Sequence, residues 1–251
     1  MRRLNPIPFL CAAALIASPA SIFAETARDA APNAAVTQAT TPVVIIGDST
    51  VCNYAESRPD RGWGQFIAER FRTGTLEVIN LAKAGRSTKT FIKEGLWQKA
   101  LERKPAYVLI QFGHNDSHAP DRPESTDAAT TYKDFLRRYI DESRAISATP
   151  ILVTPVARRT FAADGTLEDT LQPYADAMKE VAKEKNVPVI DLHTASKQLV
   201  AELGPEKSAK MANKKGDTTH FNEQGARAMA DLLMKELPTA APSLKQLLLN
   251  P

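Results

Sequence analysis

The feature that most restricts the fold of this chain is a set of five short apolar runs, spaced so that helical stretches fit between them. The runs are Val43–Gly47 (VVIIG), Leu76–Leu81, Tyr107–Phe112 (YVLIQF), Ile151–Val153 and Val187–Leu192 (VPVIDL). Continuous apolar character over so few residues predicts strands buried on both faces, as in a parallel sheet. Helices are predicted at Trp63–Phe71, Phe91–Leu101, Thr131–Ile146, Leu171–Val181, Thr194–Leu203 and Asn222–Leu237. The clearest is Thr131–Ile146, where Tyr132, Phe135, Leu136, Tyr139 and Ile146 line one face. Strands alternating with helices imply a single α/β domain over residues 42–251. Right-handed crossovers place helices on both faces of its five-stranded, mostly parallel sheet.

Such sheets bind ligands just outside the carboxyl ends of their strands. The polar residues with chemical potential sit there. Asp48 and Ser49 follow the first run, Ala82–Ser87 the second, and Gly113-His114-Asn115-Asp116 the third.

The N-terminus reads differently. Arg2 and Arg3, an apolar run from Ile7 to Ala17, and small residues around Ala20 and Ala24 form the pattern of a signal peptide over residues 1–24. The Ala- and Thr-rich residues 25–41 read as a flexible lead-in. A secreted or periplasmic protein is therefore expected. Removing residues 1–24 takes away two arginines and no acidic residue, which lowers the net charge from +3 to +1. The remaining balance gives no reason to expect nucleic acid as a partner. No later stretch is long and apolar enough to predict a membrane helix. Cys11 leaves with the leader, so Cys52 has no partner for an internal disulfide and reads as a small buried filler.

Four blocks carry chemistry. In Gly47-Asp48-Ser49, a glycine after a strand permits a tight turn. A short helix opening there would give Ser49 free backbone N–H groups beside its hydroxyl. Gly85 lets the backbone approach a ligand closely. Asn115 offers an amide that donates to an oxyanion without titrating. Asp217-Thr218-Thr219-His220 places an Asp three residues before a His, where it can orient the imidazole. Taken singly, each reads as ordinary structure: a turn or capping serine, a strand-to-helix glycine, an Asx turn, a capping Asp beside an exposed His. The G-x-S-x-G elbow is absent, since Val51 stands where its second Gly belongs, and Walker A and H-E-x-x-H are also missing.

Together and in order, the four blocks resemble the SGNH (GDSL) hydrolase family. That resemblance implies a three-layer flavodoxin-like α/β fold. It implies Ser49 as nucleophile, His220 as general base, Asp217 as its orienting partner, and an oxyanion hole of the Ser49 and Gly85 N–H groups with the Asn115 amide. No cofactor or metal is implied. Longer stretches also resemble the rhamnogalacturonan acetylesterase branch (carbohydrate esterase family 12). They are Gly47-Asp48-Ser49-Thr50-Val51, Arg61-Gly62-Trp63-Gly64-Gln65, Asn80–Ser87, Phe112–Asp116 and Asp217–Asn222. This implies an acetylated polysaccharide or oligosaccharide as substrate, with Arg86 and His114 as possible contacts, and a monomer. Related enzymes also take acetylated xylan or simple acetyl esters, and other branches are lipases or thioesterases. Two rival classes are a metallohydrolase using His114, Asp116 and His118, and a non-catalytic polysaccharide-binding protein. His193 and Trp63 are expected to be structural, and the loops around the site to be short.

Overall fold

Residues 40–249 are described by a computed structural model. The expected signal peptide and residues 25–39 of the lead-in lie outside them. Five strands run β1 (Thr41–Gly47), β2 (Leu76–Asn80), β3 (Tyr107–Gln111), β4 (Thr149–Val153) and β5 (Val189–Ile190). The helices are α1 (Thr88–Lys93), α2 (Leu96–Leu101), α3 (Thr131–Ala145), α4 (Gln172–Lys185), α5 (Leu192–Ala209), α6 (Glu223–Ala240) and α7 (Pro242–Lys245). Every pairing is parallel, and the strand order is β2-β1-β3-β4-β5.

This order is the flavodoxin-like doubly wound arrangement. Its direction reverses at β1, so a crevice opens between the carboxyl ends of β1 and β3. The alternating side chains of the strands build two cores. Val43, Ile45, Leu109, Ile151, Val153 and Ile190 face α6 through Met229, Leu233 and Leu237, with Trp63 and Phe66 beside them. Val44, Ile46, Val108, Ile110 and Leu152 face the other way, onto Phe91, Trp97, Leu136, Tyr139, Met178 and Val181 of α1–α4. Because both faces are covered, the runs are apolar throughout rather than alternating.

Four predicted elements differ. Trp63–Phe71 forms two 3-10 turns, Trp63–Phe66 and Ala68–Arg70, instead of a helix. Its backbone is held to the segment after β1: Trp63 N donates to Thr50 O at 2.9 Å and Gly64 N to Val51 O at 3.2 Å. A Cβ at Gly62 would lie 2.3 Å from Cys52 O, so only glycine allows this approach. Phe91–Leu101 is split into α1 and α2 by Gly95, whose φ is +71°. The fifth strand stops at Ile190, since the Asp191 carboxylate accepts from Thr194 N and caps α5. That helix then runs past the predicted end, with a break at Gly204. His193 and Trp63 are structural as expected. The His193 ring bridges Pro155 O (2.9 Å) and Asp169 (3.0 Å), and buried Trp63 donates from Nε1 to Gln111 Oε1 at 2.8 Å. The connections after β1, β3 and β4 are long, not short, and they wall the crevice.

Candidate active site

Gly47 closes β1 and leaves no room for a side chain: a Cβ would meet Gln111 O of β3 at 2.5 Å and Val51 Cγ2 at 2.7 Å. The chain then makes one hydrogen-bonded turn rather than the expected helix. Asp48 O accepts from Val51 N at 3.2 Å and from Cys52 N at 3.1 Å. Asp48 is fully buried and anchors the turn, its Oδ1 accepting from Thr50 N (2.9 Å) and Thr50 Oγ1 (2.8 Å). Ser49 is left at the mouth, its carbonyl accepting from the Tyr54 hydroxyl at 2.9 Å.

The imidazole that meets Ser49 comes from the opposite end of the domain. His220 Nε2 lies 3.1 Å from Ser49 Oγ, and His220 Nδ1 lies 2.9 Å from Asp217 Oδ2. Asp217 Oδ1 also accepts from the backbone N–H groups of Thr219 (2.9 Å) and His220 (2.8 Å). Partial burial alone would raise the Asp217 pKa, but these two N–H donors and the imidazole hold it below the usual carboxylate range. An ionised carboxylate on Nδ1 keeps that nitrogen protonated and leaves Nε2 free to accept the serine proton.

Around Ser49 the donors are in place for a developing anion. The backbone N–H groups of Ser49 and Gly85 make no hydrogen bond with any described residue. Gly85 adopts φ +79° with open space beyond its Cα, a left-handed turn that aims its peptide into the crevice. The Asn115 amide donates to Arg86 O at 3.0 Å, which occupies one of its two hydrogens. Ser49, Gly85, His114, Asn115, Asp217 and His220 line one cavity of about 560 Å³. Arg86 is not brought into it. Its guanidinium is tied to Glu94 at 2.9 Å and to Ala84 O at 2.9 Å, beside α1. The three residues of the metal alternative also diverge: His114 faces Asp48, Asp116 faces Thr88 and Thr126, and His118 faces Glu124.

Residues 45–228 match the model of the GDSL-like lipase/acylhydrolase family. The chain belongs to that family. Among its relatives is the rhamnogalacturonan acetylesterase RhgT of Bacillus subtilis, 39% identical over 83% of this chain and 94% of that protein. Among solved structures, Bacillus subtilis YxiM superposes with a TM-score of 0.70 at 31% identity, covering 80% of this chain and 56% of that one. Axe2, an acetylxylan esterase from Geobacillus stearothermophilus, shares the fold with a TM-score of 0.64 at 21% identity, covering 79% of this chain and 95% of that one.

In this GDSL-family chain, two further carboxylates stand behind the site. Asp48 Oδ2 lies 3.2 Å from His114 Nδ1. Burial would raise the Asp48 pKa, but His114 and Thr50 hold it low. Asp116 accepts from Thr88 N (3.1 Å), Thr88 Oγ1 (2.5 Å) and Thr126 Oγ1 (2.9 Å), fastening the β3 exit to the start of α1. Full burial outweighs these bonds and pushes its pKa up to about 7. The sequence reading missed Tyr54, Arg58, Arg158 and Lys214, which also line the cavity. It missed buried Arg159 too, whose Nη2 donates to Asp217 O (3.0 Å) and His220 O (2.7 Å). A single arginine after a strand carries no recognisable pattern.

Proposed function

We propose that this protein is a secreted serine esterase that removes O-acetyl groups from plant cell-wall polysaccharide. One observation carries the reading: the Asp217–His220–Ser49 hydrogen-bonded relay opens into a cavity that also presents the unpartnered N–H groups of Ser49 and Gly85. In this mechanism His220 Nε2 takes the proton of Ser49 Oγ as it attacks the acetyl carbonyl. The N–H groups of Ser49 and Gly85, with the free hydrogen of the Asn115 amide, hold the oxyanion. His220 then protonates the departing sugar alkoxide. A water activated by the same nitrogen attacks the acetyl-serine and releases acetate.

Two features support a sugar substrate. Relatives include rhamnogalacturonan acetylesterases. The cavity wall carries Arg58, Asp60, Arg158 and Lys214, which suits a hydroxylated ligand better than a long acyl chain. Every group the relay needs lies within one chain, consistent with action as a monomer. The leader-like residues 1–24 support export. The test is acetate release from acetylated pectin, acetylated xylan and a small aryl acetate, by wild type and Ser49→Ala. Release by wild type alone is expected. Preference for long acyl esters, or activity that survives in Ser49→Ala, overturns the reading.

A further inference from the structure

The cavity holding Ser49 and His220 carries cations that its own carboxylates do not neutralise. Its acidic lining residues are already engaged. Asp60 pairs with Arg58 at 2.9 Å and accepts from Asn213 at 3.3 Å, and Asp217 is held by His220 and two backbone N–H groups. Arg158 and Lys214 face the same cavity, and neither forms an ion pair among the described residues.

Arg158 is the more unusual. It sits on the loop after β4 and is half-buried. Its Nη2 donates to His114 O at 3.0 Å and to Ser117 Oγ at 3.4 Å. Those two bonds fix the plane of the guanidinium. Among the described residues, buried Nε has no partner and Nη1 makes no hydrogen bond. A partly desolvated guanidinium with unused N–H groups is costly until a planar anion meets it. Lys214 belongs to the loop that leads into Asp217, so the two cations reach the cavity from separate segments of the chain.

We propose that Arg158 and Lys214 form an anion subsite that binds a sugar carboxylate of the substrate, so that acetylated uronic-acid chains are favoured over acetylated neutral xylan. The proposal rests on the reading of this cavity as a carbohydrate deacetylase site. Arg158 supplies a pre-oriented fork for the carboxylate, and Lys214 adds a mobile point charge. The acetyl ester stays at Ser49, so the carboxylate must belong to the alcohol side of the substrate, on the acetylated sugar or its neighbour.

The test uses inhibition, which does not depend on deacetylation. Aryl acetate hydrolysis by the folded protein is measured with a deacetylated oligogalacturonide, and separately with a neutral xylo-oligosaccharide of equal length. The oligogalacturonide is expected to inhibit wild type more strongly, and this advantage should shrink about tenfold in Arg158→Gln, a factor typical of losing one charge-assisted contact. Lys214→Glu should shrink it comparably, and Arg158→Lys should restore part of it. Raising salt to about 0.5 M should weaken the oligogalacturonide alone, since the contact is partly exposed. The ratio of the two inhibition constants cancels any general loss of activity. If Arg158→Gln does not fold, Lys214→Glu decides, because its side chain is not part of the core. Inhibition constants that move in parallel, or no advantage for the oligogalacturonide on wild type, overturn the proposal. Failure of the deacetylase reading shows separately, as absence of acetate release from every acetylated polysaccharide.

Discussion

Arg159→Met tests whether the base is held in place from beneath. The substitution keeps the length of the apolar stem and removes the guanidinium under the Asp217–His220 segment. Arg159 Nη2 donates to Asp217 O at 3.0 Å and to His220 O at 2.7 Å, and its guanidinium carbon lies 4.7 Å from the centre of the Phe221 ring. Each charged hydrogen bond contributes about 1.5–3 kcal/mol, and the ring contact about 1–2 kcal/mol. Burial opposes them: it pulls the Arg159 pKa down from 12.5 to about 10, with Asp217 pulling the other way. That depression corresponds to a cost of about 3 kcal/mol for keeping the group charged. The net loss is roughly 1–5 kcal/mol by the same magnitudes, so the variant should fold with a thermal midpoint lower by several degrees. Catalysis should suffer more. Two carbonyls of the segment that aims His220 lose their donor, and a displacement of about 1 Å in a reacting group costs about a hundredfold in rate. The assay is kcat and KM on a small aryl acetate beside a melting curve. A fall in kcat of about a hundredfold with little change in KM is expected, with partial rescue in Arg159→Lys. A folded Arg159→Met with kcat within threefold of wild type refutes the reasoning.

The other predictions concern the oxyanion, a buried acid and the core. Asn115→Ala should lower kcat by about 10²–10³ while the protein stays folded, as for loss of one oxyanion donor; a loss under fivefold removes Asn115 from that role. Asp116 has a folded pKa of about 7 against 3.8, so between these values the unfolded chain is ionised while the folded chain keeps its proton. Its contribution to stability is therefore full below pH ~4, falls as pH rises, and is lost above pH ~7. Asp116→Asn should flatten this fall in urea unfolding measured at several pH values across the window, and parallel curves for the two proteins would contradict it. Trp63→Phe leaves buried Gln111 Oε1 without its donor and should cost about 2–3 kcal/mol in urea unfolding; a change below about 0.5 kcal/mol refutes a structural role for that bond.

Much of this was legible in the sequence because two signals coincide. The apolar runs specify parallel strands, and polar residues following them fall where such a sheet binds ligands. Asp217 also stands three positions before His220, the spacing that lets one carboxylate serve both the imidazole and its backbone N–H. What stayed hidden depends on contacts remote in sequence. Helical spacing at Trp63–Phe71 is overridden because Trp63 and Gly64 bond to the backbone at Thr50 and Val51. Arg86, beside Gly85, reads as a possible substrate contact, but Glu94, the residue that closes α1, takes its charge. Arg158 and Arg159 are adjacent with unrelated surroundings, one at the cavity and one under the base, and no pattern in the chain separates them.

The separation of 171 positions between Ser49 and His220 sets an order of events during synthesis. Ser49, Gly85 and Asn115 leave the ribosome first, and the strands that present them can pair before the imidazole exists. Only when the segment around Phe221 bridges to Arg61 does the hydroxyl meet its base. Under the proposed mechanism, hydrolysis requires the whole domain to close, so the appearance of esterase activity would report completed folding.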